Sequence, residues 1–284
     1  MVLYALLPQH CRDANEGAGG GRCTPARPLA AIAAISLATF LVVSTYTRAA
    51  STVVKPVIKI HFFNHDWCRI LHGGAMLHMC VDVGGVCEEV TDQKTILALS
   101  HSSGKGDTFA EPIVTYGDLQ LSQGIAATIF IGETLGFDVP ETRKPKAMQY
   151  MLDLRDFIDN SWLAALTVLS GGDKSLYPML GGNATTVQRR FDAYAESGRL
   201  KEFVDHFERS IIGPYYFGSS PSYVDYYFVS VINWMAHRLG CANLQAPRCA
   251  AIGNAPKLAT IMRSRVAQTA AAGYGLGYAL SSES

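Results

Sequence analysis

The stretch Pro112-Ile113-Val114-Thr115-Tyr116-Gly117-Asp118-Leu119-Gln120-Leu121-Ser122-Gln123-Gly124-Ile125-Ala126 decides the fold of this chain. Two short apolar runs flank Gly117-Asp118, a dipeptide that favours a tight turn, so the stretch predicts a β-hairpin. Ser122 is placed to cap a helix that follows the hairpin. The apolar positions of that helix recur at helical spacing, at Ile125, Ala126, Ile129 and Phe130.

Upstream of the hairpin, the periodicity predicts a strand, a helix and a second strand. Val57 to Phe63 is short and largely apolar, which is typical of a strand. A helix is expected around Gly74 to Val83, and Val86 to Val90 is a further strand candidate. Together with the hairpin and its helix, these elements predict a small α/β unit that ends near Gly136.

Beyond Pro140 the apolar residues follow a helical period, and the best stripe runs from Val224 to Leu239. The segment Asp138 to Lys146 contains prolines and mixed charge, which predicts a linker. We therefore expect an α+β protein. Residues 54–138 would form its α/β domain and residues 146–280 an all-helical domain.

The composition excludes several classes of protein. The chain has 24 Lys and Arg residues and 24 Asp and Glu residues, so it has no basic excess with which to bind nucleic acid. Its 7 cysteines are irregularly spaced and form no CxxC motif, which argues against a disulfide framework and a structural zinc site. We expect no metal and no nucleic-acid partner.

Residues 1–53 differ in composition from the rest of the chain. Leu29 to Thr47 contains 19 residues without a charged side chain, close to the roughly 20 apolar residues that span a bilayer. Three interpretations stay open for this extension: a single-pass membrane anchor, a cleaved signal processed near Ala49, Ala50 and Ser51, and a disordered extension or a misassigned start codon. The first predicts a membrane-associated protein, and the second predicts targeting to an organelle or the secretory pathway.

The hairpin stretch resembles the glutathione S-transferases. Pro112-Ile113-Val114, Gly117-Asp118 and Leu121 to Ala126 are similar to the family's P-V-L, G-D and L-x-Q-S-x-A pattern. A second stretch, Gly218 to Asp225, is similar to the family's G-x-x-x-[ST]-x-A-D pattern. Pro256-Lys257-Leu258 follows at the expected distance, so the resemblance covers about residues 57–270.

This resemblance is nearest to the alpha, mu, pi and sigma classes, which use a tyrosine. It implies a thioredoxin-like N-terminal domain followed by an all-α glutathione-transferase C-terminal domain. Ser222 and Asp225 would form a capping box at the head of the best apolar helix.

The resemblance also implies a glutathione site at the hairpin. Pro112 would follow a cis peptide bond, and the backbone of Glu111 would pair with the cysteinyl backbone of glutathione. Gln123 would meet the γ-glutamyl group, and Gly124 would offer only its N–H group where the family has a serine. Glutathione would then be the co-substrate, and its thiolate would attack a small hydrophobic electrophile.

The residue that should stabilise the glutathione thiolate departs from the family. Alignment of Lys59 to Asn64 with the family's K-L-T-Y-F-N places Phe62 where the tyrosine classes donate a hydroxyl group. Asn64 would be a substitute amide donor. Cys68, beside Arg69, would be the mixed-disulfide cysteine of an omega-like thiol transferase. Conjugation therefore competes with two alternatives, a non-catalytic binding protein on the transferase scaffold and a thiol transferase that uses Cys68.

A homodimer is the association state that the resemblance implies. An acidic residue on the first long helix of the helical domain would reach the γ-glutamyl amine bound by the partner. Asp153 and Asp156 both lie on that helix, about one turn apart, and only one of them would point across.

Overall fold

The computed structural model describes residues 56–63, 70–71, 73–100, 108, 111–170, 189, 192–239, 241 and 246–267. All of them belong to one compact unit, Pro56–Ser284. The predicted apolar segment 29–47 lies outside the described residues. Within the described ranges, every helix is too short or too polar to span a bilayer.

The N-terminal part is built on a mixed four-stranded sheet in the order β2-β1-β3-β4. Its strands are β1 (Ile58–His61), β2 (Cys87–Val90), β3 (Ile113–Tyr116) and β4 (Leu119–Leu121). Strand β1 runs parallel to β2 and antiparallel to β3, and β3 and β4 form the predicted hairpin. Gly117 turns this hairpin with a φ of 59°, a left-handed conformation that glycine adopts without steric cost.

Three helices accompany the sheet: α1 (Gly74–Asp82), α2 (Gln93–Leu99) and α3 (Gly124–Leu135). Helix α2 was not predicted from the sequence. It begins after Asp92, and the carboxylate of Asp92 accepts a 2.8 Å hydrogen bond from the N–H of Thr95. The predicted cap at Ser122 is wrong. Gln123 occupies the position before α3 and makes no capping side-chain bond.

The C-terminal part is helical. It contains α4 (Lys144–Ser170), α5 (Arg199–Ser210), α6 (Tyr223–Leu239), α7 (Ala250–Gly253) and α8 (Pro256–Arg263), with short 3-10 turns at Glu141–Arg143 and Pro247–Cys249. Helix α4 begins inside the predicted linker. Pro145 permits this because the first turn of a helix leaves its N–H groups unpaired in any case.

Helix α6 is the centre of the core. Its side chains from Tyr223 to Ala236 are all buried, as expected for a helix that is surrounded on every side. Helices α1, α3 and α4 pack against it. Contact with α3 is close, because a Cβ atom on Gly132 would lie only 2.5 Å from the Cβ of Tyr223.

A buried carboxylate organises the start of α6. Oδ2 of Asp225 accepts hydrogen bonds from the N–H and the hydroxyl of Ser222, both at 2.8 Å, and Oδ1 accepts one from the N–H of Tyr216 at 2.9 Å. Burial raises the pKa of Asp225 to about 6 although these hydrogen bonds oppose the shift. The carboxylate therefore satisfies backbone groups that would otherwise be buried without partners.

Two disulfides show that the expectation against a disulfide framework is wrong. Cys80–Cys87 joins the end of α1 to the start of β2, and Cys241–Cys249 joins the end of α6 to the following 3-10 turn. Sequence spacing does not reveal these pairs, since the reversal of the chain after α1 brings the first pair together. By the chain-entropy argument, loops this short gain about 2–3 kcal/mol each.

Replacing Asp225 with alanine should lower the free energy of unfolding by about 2–4 kcal/mol, because a cap is lost and the N–H of Tyr216 becomes unpaired. Thermal and urea denaturation measure the change. Asp205→Ala is the matched control, since it removes only an exposed pair with Lys201 and should cost less than about 0.5 kcal/mol. Unchanged stability of the Asp225→Ala variant would contradict the capping role.

His78 should make the fold sensitive to acid. It is buried in α1, neither ring nitrogen has a hydrogen-bond partner among the described residues, and burial lowers its pKa to about 3. Because the unfolded histidine titrates near 6.5, the unfolded state binds more protons between these values, and stability falls as the pH falls. The loss should be about 2–3 kcal/mol between pH 7 and about 4.5. His78→Leu should flatten this slope in urea titrations, and an unchanged slope would exclude His78 as its source.

Candidate functional site

Two unusual backbone conformations mark the ends of the hairpin. The cis peptide bond expected before Pro112 is present, between Glu111 and Pro112. At the other end, Gln123 has a φ of 74° and a ψ of 112°, and it is the one non-glycine residue with positive φ in the described part of the chain. Such a conformation costs about 1–3 kcal/mol and is concentrated at binding sites.

The hairpin brings these two ends together. The last pair of its register is Val114 with Leu121, so Pro112 and Gln123 each lie two residues beyond this pair, at the open end of the hairpin. The predicted residues Glu111, Pro112, Gln123 and Gly124 therefore lie as one cluster at the open end of the hairpin.

This cluster has the chemistry of an anion site. Helix α3 begins at Gly124, and no side chain of the residue before it caps the helix. The first N–H groups of a helix have no partner within the helix, and they favour a carboxylate or a phosphate. Gly124 and Ile125 are only half-buried, so a ligand has access to the head of α3.

The end of β1 offers no hydroxyl group. Phe62 is fully buried, and its N–H donates a 3.2 Å hydrogen bond to the carbonyl of Val90. Beside it, Nε2 of His61 lies 3.1 Å from Oγ1 of Thr115. Burial, and then the nearby charge of Lys59, lower the pKa of His61, which favours the neutral imidazole. The predicted residues Asn64 and Cys68 lie outside the described residues.

Asp153 and Asp156 belong to a different feature, a cavity of about 300 Å³ between α4 and α5. Its lining comprises Asp153, Asp156, Asn160, Arg199, Glu202, Phe203 and His206, with no residue from the hairpin. Asp153 Oδ2 lies 3.0 Å from Nε2 of His206 and accepts a 3.4 Å bond from Gln149. The carboxylate of Asp156 forms no ion pair with another described residue.

The residues on the α5 side of this cavity were not predicted from the sequence. Arg199 lies over the ring of Phe203 at 4.8 Å and pairs with Glu202 at 2.5 Å, and His206 lies one turn further along the helix. Arg199, Glu202, Phe203 and His206 are spaced so that they share one face of a helix, and this spacing was the signal in the sequence that could have identified them. Among the residues that the structure describes, no group of three or more His, Cys, Asp or Glu side chains is arranged to hold a metal ion.

No protein-family model and no curated protein sequence matches the chain. Solved structures match it by fold. NaGST-2 has a TM-score of 0.50 and 14% identity, covering 72% of this chain and 88% of its own. Rat hPGDS complexed with a quinoline has a TM-score of 0.50 and 13% identity, covering 76% and 91%. The Onchocerca volvulus Pi-class glutathione S-transferase gives 0.49 and 13% identity, covering 76% and 88%. The described part of this chain therefore has the fold of the glutathione S-transferases, a thioredoxin-like sheet followed by an all-helical part.

Proposed function

We propose that this protein binds glutathione at the head of α3 and conjugates the glutathione thiolate to small hydrophobic electrophiles. The observation that carries the proposal is the strained backbone of Gln123 directly before the uncapped head of α3. Strain of this kind persists where the surrounding structure imposes it, and it is concentrated at ligand sites.

In this proposal, main-chain groups supply most of the glutathione contacts. The backbone of Glu111 pairs with the cysteinyl unit, and the N–H groups at the head of α3 bind the γ-glutamyl carboxylate. The side-chain amide of Gln123 adds a further hydrogen bond. Gly124 removes the hydroxyl group that a serine would provide, so the carboxylate loses one donor.

Conjugation also requires ionisation of the thiol. A free thiol has a pKa of about 8.5 and is mostly protonated at neutral pH. The thiol proton leaves to solvent or a base, the sulfur forms a bond to the electrophile, and the leaving group departs with its electron pair. Because Phe62 has no hydroxyl group to stabilise the thiolate, we expect this step to be slow.

A second candidate function follows from the same observation. With no hydroxyl group at position 62 or 124, the chain would serve as a non-catalytic protein that binds glutathione or a hydrophobic ligand. A thiol transferase that uses Cys68 stays a third hypothesis. Retention of the protein on a glutathione matrix, followed by a conjugation assay with an activated aryl halide, separates binding from turnover.

Gln123→Gly should separate binding from stability. Glycine relieves the positive-φ strain, so the free energy of unfolding should rise by about 1 kcal/mol. Loss of the amide contact should weaken glutathione binding roughly 2- to 10-fold, the range of one neutral hydrogen bond. Calorimetric titration and thermal denaturation measure the two effects. A variant that is more stable and binds glutathione with unchanged affinity would remove Gln123 from the site.

Phe62→Tyr tests the missing thiolate donor. If the ring edge faces the sulfur, as the alignment implies, the new hydroxyl should lower the thiol pKa of bound glutathione and raise kcat/KM about tenfold, below the usual range for a positioned group. Phe63→Tyr is the matched control, because the neighbouring side chain points to the other face of the strand. Unchanged rate and thiol pKa in Phe62→Tyr would show that the first strand is misaligned.

We also propose that the protein is a homodimer. Exposed apolar side chains lie on both parts of the molecule: Leu97 and Leu119 on the sheet part, and Met148 and Leu152 on α4. Met148 and Leu152 are four residues apart and share one face of α4. Contact between the sheet part of one subunit and α4 of the other would cover both sets.

The dimer proposal favours Asp156 as the residue that reaches the partner's γ-glutamyl amine. Asp153 is already bonded to His206 of its own chain. Asp156 lies one turn beyond Leu152 and has no ion-pair partner among the described residues. It is therefore the carboxylate available to a second subunit.

Leu152→Glu should convert the dimer to a folded monomer, because it places a charge in an apolar contact. Sedimentation velocity at micromolar concentration measures the mass, and circular dichroism checks folding. Ile212→Glu is the matched control, since Ile212 is even more exposed, 62% against 50%, but lies after α5. A monomeric wild-type protein would refute the dimer and any cross-subunit role of Asp156.

A further inference from the structure

We propose that the folded part of this chain lies on the non-cytosolic side of a membrane, in a compartment that oxidises thiols. The two disulfides carry this inference. Formation of each one removes two electrons and two protons from a pair of thiols, and the disulfide of a thiol oxidoreductase accepts them and becomes a dithiol. Disulfides persist in such compartments and are rare in the cytosol.

Both disulfides are structural parts of the fold. Cys80, Cys241 and Cys249 are buried, and Cys87 is half-buried. The Cα atoms are 5.7 Å and 6.2 Å apart, within the range that disulfides occupy without movement of the backbone. Transient cytosolic disulfides belong to catalytic or sensing cysteines, which are exposed to their partners. Neither pair has that character.

The disulfides lie in separate parts of the molecule. One fastens the end of α1 to the sheet, and the other fastens the end of α6 in the helical part. Two independent pairs at bonding distance indicate that the whole unit folds under oxidising conditions. A single close pair would not carry the same conclusion.

The sequence alone leaves the orientation of the chain undecided. Within 20 residues of the apolar segment 29–47, three basic residues lie upstream (Arg12, Arg22 and Arg27) and three lie downstream (Arg48, Lys55 and Lys59). Since the orientation rule depends on an excess of Lys and Arg on one side, this balance gives no direction. The disulfides decide the orientation, because they require the chain on the C-terminal side of the segment to leave the cytosol. An anchor and a cleaved signal both achieve this, whereas an extension without a targeting role does not.

A thiol count on the full-length chain in its own cells tests the redox state. Acid quenching followed by denaturation and reaction with a polymer-coupled maleimide counts the free thiols on a gel. Reduction should release 4 thiols, those of the two disulfides. An anchored chain with all 7 cysteines should show at most 3 reactive thiols before reduction and 7 afterwards, and a chain cleaved near Ala49, which has lost Cys11 and Cys23, should show at most 1 and then 5. The same number of reactive thiols before and after reduction would overturn the proposal.

Protease treatment of sealed vesicles from the same cells tests the orientation. The folded part should resist digestion until detergent opens the vesicles, and digestion without detergent would overturn the proposal. A variant with Phe40→Arg and Leu41→Arg places two charges inside the apolar segment, so the chain should stay in the cytosol with seven reactive thiols. The matched control has Gly19→Arg and Gly20→Arg, upstream of the segment, and should keep its disulfides. If the disulfides still form in the Phe40→Arg, Leu41→Arg variant, their formation does not depend on the compartment, and the proposal is wrong.

Discussion

The buried carboxylate of Asp225 is the contact on which the rest of the structure depends. It satisfies the backbone of Tyr216 and Ser222 and thereby sets where α6 begins and which way it runs. Within the first turn of α6, Tyr223 packs against Gly132 of α3, and Tyr226 donates a hydrogen bond to Asp82 at the end of α1. One helical turn therefore joins the sheet part to the helical part. Water is excluded from this junction, and this burial raises the pKa of the Asp225 carboxylate.

The position of the candidate site follows from this junction. Helix α3 is fixed near its C-terminal end by the close approach of Gly132 to Tyr223, and near its head by the hairpin that leads into it. A helix constrained at both ends can impose an unfavourable backbone on the residue between hairpin and helix, and Gln123 carries it. Backbone strain persists only where neighbouring packing fixes the backbone conformation, as it does at Gln123.

Most parts of the fold that depend on neighbouring residues were predictable from sequence, although α2 with its local cap at Asp92 was not predicted. Three such features depend only on residues that are close in the sequence: the turn at Gly117, the pairing of Ser222 with Asp225 and the apolar period of α6. Features that depend on distant contacts were not predictable. The disulfide partners meet only after the chain reverses, and His206 reaches Asp153 only because α5 packs beside α4. The expected cap at Ser122 failed for a local reason, since the left-handed backbone of Gln123 displaces the serine from the capping position.

In the proposed function, different groups of the candidate site would serve binding and turnover. The proposed binding groups are the N–H groups at the head of α3, which belong to the backbone. Stabilisation of a thiolate, in contrast, would depend on the side chain that follows β1, where Phe62 is buried and carries no donor. Only interactions that strengthen in the transition state raise kcat. In the proposed function, the absence of a hydroxyl group at position 62 would therefore lower turnover, whereas the affinity for glutathione would come from the N–H groups at the head of α3.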